Sequence, residues 1–166
     1  LRAVMALLNS KLAISYIKGK YRGATYNQGI TFTKEMILNL PCPNTFGNYV
    51  TKLAKLSTKR EKVSRRIIEE RAGFSRRIRD NLQGVRITDT LKQFDNLDFL
   101  QFVNELTKQK IHIPHRQQNE WEKIFNSSQS KCCNIKKQID ETDREIDQLV
   151  YELYGLNEDE IKIIEG

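Results

Sequence analysis

The sequence predicts a mainly α fold: a long antiparallel helical hairpin, coiled-coil-like, with a helical tip and a small α/β remnant at the N-terminal end. Three observations predict it. Two apolar stripes that alternate steps of four and three residues run through 48–82 and 117–153. The two segments are of nearly equal length and are separated by one insert, so they fold back most simply on each other. The composition, 30% charged and 39% hydrophobic with 3 prolines in 166 residues, suits helices that each bury a single stripe.

Residues 2–18 read as one helix, because Val4, Leu7, Leu8, Leu12, Ile14 and Ile17 keep mostly three- and four-residue steps. Gly19, Gly23 and Gly29 then punctuate a loop rich in basic, aromatic and amide side chains. Ile30-Thr31-Phe32 is strand-like, and Thr33 is a fair N-cap for a short turn through Ile37. Leu40-Pro41-Cys42-Pro43 has to be extended, since each proline pushes its predecessor out of the α region. Asn44 or Thr45 can cap the next helix.

The first long stripe is Tyr49, Leu53, Leu56, Arg60, Val63, Ile67, Glu70, Phe74. The second runs from Trp121 through Phe125, Ser128, Cys132, Ile135, Ile139, Thr142, Ile146 and Leu149 to Leu153. At 1.5 Å per residue the helices would be about 52 and 55 Å long. Gly73 weakens the first by about 1 kcal/mol relative to alanine. The insert, 83–116, carries a short helix over 97–109 with Asn96 as N-cap, whose apolar face would cover the hairpin tip. Pro114 fits the first turn of the second long helix, Gly155 ends it, and Asn157 caps a final short helix through Ile164. The domain division expected on this basis is 1–47, then 48–166.

No apolar run approaches the roughly 18 residues of a membrane span, and the mean hydropathy is −0.60. Leu1 starts inside an amphipathic pattern and no signal peptide is visible, so the chain reads as a piece of a longer protein. Its 3 cysteines form no disulfide framework, which fits a reducing cytosol and a cytoplasmic location.

The net charge of +7 is unevenly distributed. Residues 1–47 hold 6 basic and 1 acidic side chains, 48–82 hold 11 and 4, and 83–166 hold 11 and 16. A basic first half joined to an acidic second half points to a polyanion met by the first half. The alternative is internal: the basic helix can pair with an acidic one carrying Asp140, Glu141, Asp143, Glu145 and Asp147.

Catalytic chemistry has little to work with. His112 and His115 stand three apart and Cys132-Cys133 are adjacent, so neither pair has zinc-ligand spacing. Glu160-Ile161-Lys162 matches only the end of a nuclease motif, in an acidic tail. No catalytic and no metal-binding residue is expected. What remains is a binding surface: Lys18, Lys20, Tyr21, Arg22, Thr25, Tyr26, Asn27 and Gln28 in the loop, with Arg65, Arg66, Arg76 and Arg77 on the basic helix. Arginine and lysine suit phosphates and guanine edges, while Asn and Gln suit adenine edges. An ordinary polar loop would have the same composition.

Leu8-Asn9-Ser10-Lys11-Leu12, the run from Tyr26 to Glu35 (Tyr-Asn-Gln-Gly-Ile-Thr-Phe-Thr-Lys-Glu), and Asn39-Leu40-Pro41-Cys42-Pro43 occur in that order. Together they resemble the TaqI-like C-terminal specificity domain, or target-recognition domain, of N6-adenine DNA methyltransferases. The stretch from Ile139 to Leu156 is similar to the C-terminus of type IIG restriction–modification enzymes, in which methyltransferase and endonuclease share one polypeptide. Leu97 to Lys110 and the Trp121 segment fit the helical insert of that group.

The resemblance implies that residues 1–47 are the last part of a recognition domain that selects a site on double-stranded DNA. An upstream methyltransferase domain of the same chain would flip out the adenine and methylate it from S-adenosylmethionine. No catalytic or cofactor motif of that domain occurs here. The fragment itself is therefore expected to need no cofactor, and to bind without catalysing. Two other readings stay open: a coiled-coil module that makes a homodimer through its helices without touching nucleic acid, and a helical arm that grips structured RNA.

Overall fold

A computed structural model describes residues 1–21 and 33–166 in full. Between them it describes only the backbone of Thr25–Tyr26 and Gly29–Ile30. The described chain is mainly α. It divides into two compact units, one made of Leu1–Glu61 with Asp140–Gly166 and the other of Lys62–Ile139. Both long helices, α4 (Phe46–Asn81) and α7 (Gln118–Tyr154), contribute to each unit. The sequence boundary at 47/48 falls at the start of α4, whereas the units divide at 61/62 and 139/140.

The first unit begins with two helices where one was expected, α1 (Arg2–Leu8) and α2 (Lys11–Lys20). The reason is Ser10. Its extended backbone breaks the helix, its hydroxyl donates to Leu7 O at 2.7 Å, and the same oxygen accepts from Ala13 N–H at 3.3 Å. Such a cap contributes about 1 kcal/mol. The break is completed from far along the chain, because the buried Asp147 carboxylate on α7 accepts the Lys11 N–H at 2.8 Å. That contact satisfies one of the donors a helix start leaves open and sets an anion against its positive end.

α2 runs through Gly19, so the loop opens later than the glycine spacing suggested. Thr25–Tyr26 (β1) and Gly29–Ile30 (β2) form an antiparallel pair with Thr25 opposite Ile30. The expected strand at 30–32 is described only at Ile30. Thr33 caps α3 (Lys34–Leu38) through Met36 N–H, as expected. The core packs Ala3, Ala6 and Leu7 of α1 against Leu53 of α4 and Ile146, Leu149, Val150 and Leu153 of α7. Ion pairs Lys59–Glu145 (2.7 Å) and Arg60–Asp143 (3.1 Å) join α4 to α7 beside it.

α7 ends in a six-to-one turn: Leu156 N–H donates to Tyr151 O and Gly155 N–H to Glu152 O, with Gly155 at φ 66°. Asn157 then caps α8 (Glu158–Glu165) in a reciprocal capping box with Glu160. Tyr151 Oη donates to Glu165 at 2.8 Å, which ties α8 back to α7.

In the second unit α4 and α7 pair antiparallel. Arg66 meets Gln138 at 2.9 Å, while Phe74, further along α4, meets Phe125, further back on α7, with ring centroids 5.9 Å apart. The insert supplies α5 (Asp89–Lys92), a 3-10 turn at Phe94–Asn96 and α6 (Phe99–Lys108). Phe94, Phe102 and Leu106 are fully buried from that segment, and Phe125 is the hub, at 5.2 Å from Phe102 and 5.8 Å from Phe94. Offset and edge-on ring pairs of this kind add about 0.5–1.5 kcal/mol each beyond their burial. The insert thus covers the end of the α4–α7 pair, as its apolar content predicts.

The cap of α6 is Asp98, not Asn96. Asp98 has glutamine three residues on, and Gln101 closes the capping box; the corresponding position after Asn96 is Phe99. Asn96 instead accepts a hydrogen bond from Lys136 Nζ. Beside it, the Asp95 side chain is 1% exposed and is held by Arg71 Nε and Nη2 (2.7 and 2.8 Å) and by Lys136 Nζ (2.7 Å). The heptad stripe from Trp121 to Leu153 is thus engaged within its own chain, in one unit from Trp121 to Ile135 and in the other from Ile146 onward. A homodimer through that stripe would have to displace α4.

Candidate nucleic-acid interface

The sequence places its binding residues on two elements, and the structure puts them in different units. In the first unit they lie at the C-terminal end of α2. Lys18 and Lys20 are exposed there, where cations favour the helix dipole. Lys20 Nζ donates to Tyr16 Oη at 2.9 Å and stands 5.3 and 5.8 Å from the ring centroids of Tyr16 and Tyr21. The hydrogen bond to Tyr16 is the main reason its ammonium is held above the ordinary lysine range. Tyr16 Oη in turn reaches Asn39 O at 3.4 Å, which anchors this end of α2 to the end of α3. The Tyr21 hydroxyl is buried and has no hydrogen-bond partner among the described residues. Arg22, Asn27 and Gln28, and the side chains of Thr25 and Tyr26, lie outside the described residues.

In the second unit Arg65, Arg66, Arg76 and Arg77 are all exposed on α4, but they are not equivalent. Arg66 is bound to Gln138, and Arg65 is engaged within the chain as well. Arg76 and Arg77 make no ion pair among the described residues. The internal-pairing alternative is therefore realised for part of the basic helix, at Lys59 and Arg60, and not for Arg76 or Arg77; Arg71 pairs instead with Asp95 of the insert. Arg79, another basic side chain of the same helix, shares a flank of α4 with Arg76, next to Ala72 and Ser75. Helical spacing accounts for this: residues 72, 76 and 79 stand on one face, and Arg77 lies about a quarter-turn away from Arg76.

No group of three or more His, Cys, Asp or Glu converges as metal ligands among the described residues. Cys132 is fully buried, and burial pushes its thiol up to about 11, as befits a core cysteine. The Glu160 carboxylate of the nuclease-like tripeptide closes the capping box of α8. Among the described residues no helix is long and apolar enough to cross a membrane.

The fold and this surface define a class: a mainly helical protein in which an antiparallel helix pair carries exposed arginines and a helical insert. Residues 43–150, more than half of the chain, match the family described as a domain of unknown function (DUF8810), and the chain belongs to that family. No curated protein and no solved structure matches it significantly.

Proposed function

We propose that this chain is a double-stranded DNA-binding segment of a restriction–modification N6-adenine DNA methyltransferase, and that it positions an upstream catalytic domain on its target site in the bacterial cytoplasm. The observation that carries the reading is the cation surplus left over after internal pairing. Lys18 in the first unit, and Arg76 and Arg77 in the second, are exposed and make no ion pair among the described residues. The resemblance of the recognition-domain motifs supplies the choice of DNA. The acidic side chains of α7 neutralise only some of the first 82 residues' charge, so the polyanion reading keeps its basis.

Titration of a labelled duplex at several salt concentrations tests it. If about eight phosphates are contacted, log K should fall by about 7 per decade of salt. Lys18→Ala/Lys20→Ala should weaken binding more than Lys123→Ala/Lys137→Ala, two exposed lysines on α7. Lys136 is unsuitable as a control, because it holds Asp95. Undetectable binding by the protein at low salt would sink the proposal.

A further inference from the structure

On the second unit, α4 and the segment through α5 border a groove of about 660 Å³. Its α4 wall carries Ile68, Arg76 and Arg79, with the small Ala72 and Ser75 between them; Ile87 and Lys92 face them from the other side. Among the described residues no acidic side chain lines it. We infer that this groove docks one strand of a DNA duplex by its phosphodiester backbone, with Arg76, Arg79 and Lys92 as the phosphate-contacting cations. The inference rests on the DNA-binding reading and adds to it a specific contact surface, separate from the end of α2.

The charges are available. Arg76 and Arg79 make no ion pair among the described residues. Lys92 pairs with Asp89 at 2.8 Å, but Asp89 is 91% exposed, and an exposed pair of this kind is weak in water, so a phosphate can exchange for it. The nearest buried carboxylate, Asp95, is held by Arg71 and Lys136 and does not compete.

The dimensions agree. From Arg76 to Arg79 the helix advances about 4.5 Å, at 1.5 Å per residue. That is about one phosphate step of one strand, 3.4 Å along the duplex axis, so the two guanidiniums can meet neighbouring phosphates. Ala72 and Ser75 let a backbone approach α4 closely, and Ile68, 64% exposed, offers an apolar contact for sugar carbons. Planar guanidinium forks match phosphate oxygens in pairs. Arg77, about 100° round the helix from Arg76, lies outside this groove and is not part of the surface.

The test uses the whole chain and a labelled duplex DNA, read by fluorescence anisotropy across a salt series. Arg76→Ala/Arg79→Ala should lower affinity at least tenfold at low salt and make the salt slope less steep by about 2, at 0.9 per lost phosphate contact. Arg76→Gln/Arg79→Gln should do the same, and Lys123→Ala, at an exposed lysine of α7 away from the groove, should leave the slope within half a unit. Unchanged Trp121 emission confirms that the variants fold.

If the wild-type chain binds and the double variants keep its slope, the groove assignment is overturned and DNA binding stands. If the wild-type chain does not bind duplex at all, the function proposed above fails, and the groove assignment with it. A third arm uses a labelled polyglutamate peptide. If that peptide loses affinity in the double variants while duplex does not, the groove is a site for acidic protein and the inference is overturned.

Discussion

Asp95→Asn removes the charge on which the second unit's polar interior is built. The Asp95 carboxylate is 1% exposed and accepts hydrogen bonds from Arg71 and Lys136, all at 2.7–2.8 Å. An amide keeps the shape, but one end becomes a donor that faces a cation. Removing one partner of a buried ion pair costs about 3–5 kcal/mol. Here the two cations are 27% and 38% exposed and regain water when the carboxylate goes, which puts the expected loss near the low end, about 3 kcal/mol. Trp121 is the only tryptophan in the chain and is buried in this unit, so its fluorescence during urea unfolding reports the unit selectively.

The midpoint should fall with the denaturant slope unchanged. Burial alone would raise the Asp95 carboxyl, but the hydrogen bonds from Arg71 and Lys136 outweigh it and hold the carboxyl below its ordinary value. The stability it contributes is therefore complete above the unfolded value of about 3.9 and is lost as pH falls through the lower folded value. The asparagine variant should lose less on acidification than the wild type. A loss under about 1 kcal/mol at neutral pH, against the 3–5 expected for a buried pair, would refute this account of the clamp.

Gly73 lies inside α4 and an added Cβ would meet nothing within 4 Å, so Gly73→Ala should stabilise the second unit by about 1 kcal/mol in the same Trp121 assay. Two helices end in the same six-to-one turn: Gly155 follows α7 at φ 66°, whereas Lys110 takes that place after α6 at φ 62°. Lys110→Gly should therefore raise stability and Gly155→Ala lower it, each by about 1 kcal/mol, read by Trp121 fluorescence for the first and by circular dichroism melts for the second. A thiol reagent at neutral pH should label Cys42 and Cys133 rapidly and Cys132 only on unfolding, since Cys132 alone is buried; rapid labelling of all three would place Cys132 outside the core.

The long helices were legible because a heptad stripe is redundant: many positions report one face, and the expected 48–82 and 117–153 differ from α4 and α7 by one or two residues at each end. Thr33, Gly155 and Asn157 were legible because a cap is a local event. Ser10 was missed because the apolar spacing continues straight through it, and one of the contacts that hold the break comes from Asp147 on a distant helix. Asp98 was overlooked in favour of Asn96 although its glutamine partner stood in the sequence. The role of Asp95 had no local signal, since its partners sit 24 and 41 positions away. The candidate site divided along the same line. Exposure of Lys18, Lys20 and Arg76 follows from helical periodicity, but which arginines are engaged internally depends on contacts between helices.

The span that matches the family, 43–150, holds the whole groove beside Arg76 and Arg79 and none of the residues at the end of α2. Any activity common to the family has to reside within that span, and on the DNA reading the groove supplies affinity without sequence information. Phosphate contacts weaken binding to all sequences alike when removed. Arg76→Ala/Arg79→Ala should then lower affinity for two unrelated duplexes by the same factor. A loss that differs tenfold between them, about 1.4 kcal/mol, would mean that these arginines reach base edges, and would move target selection from the N-terminal segment onto α4.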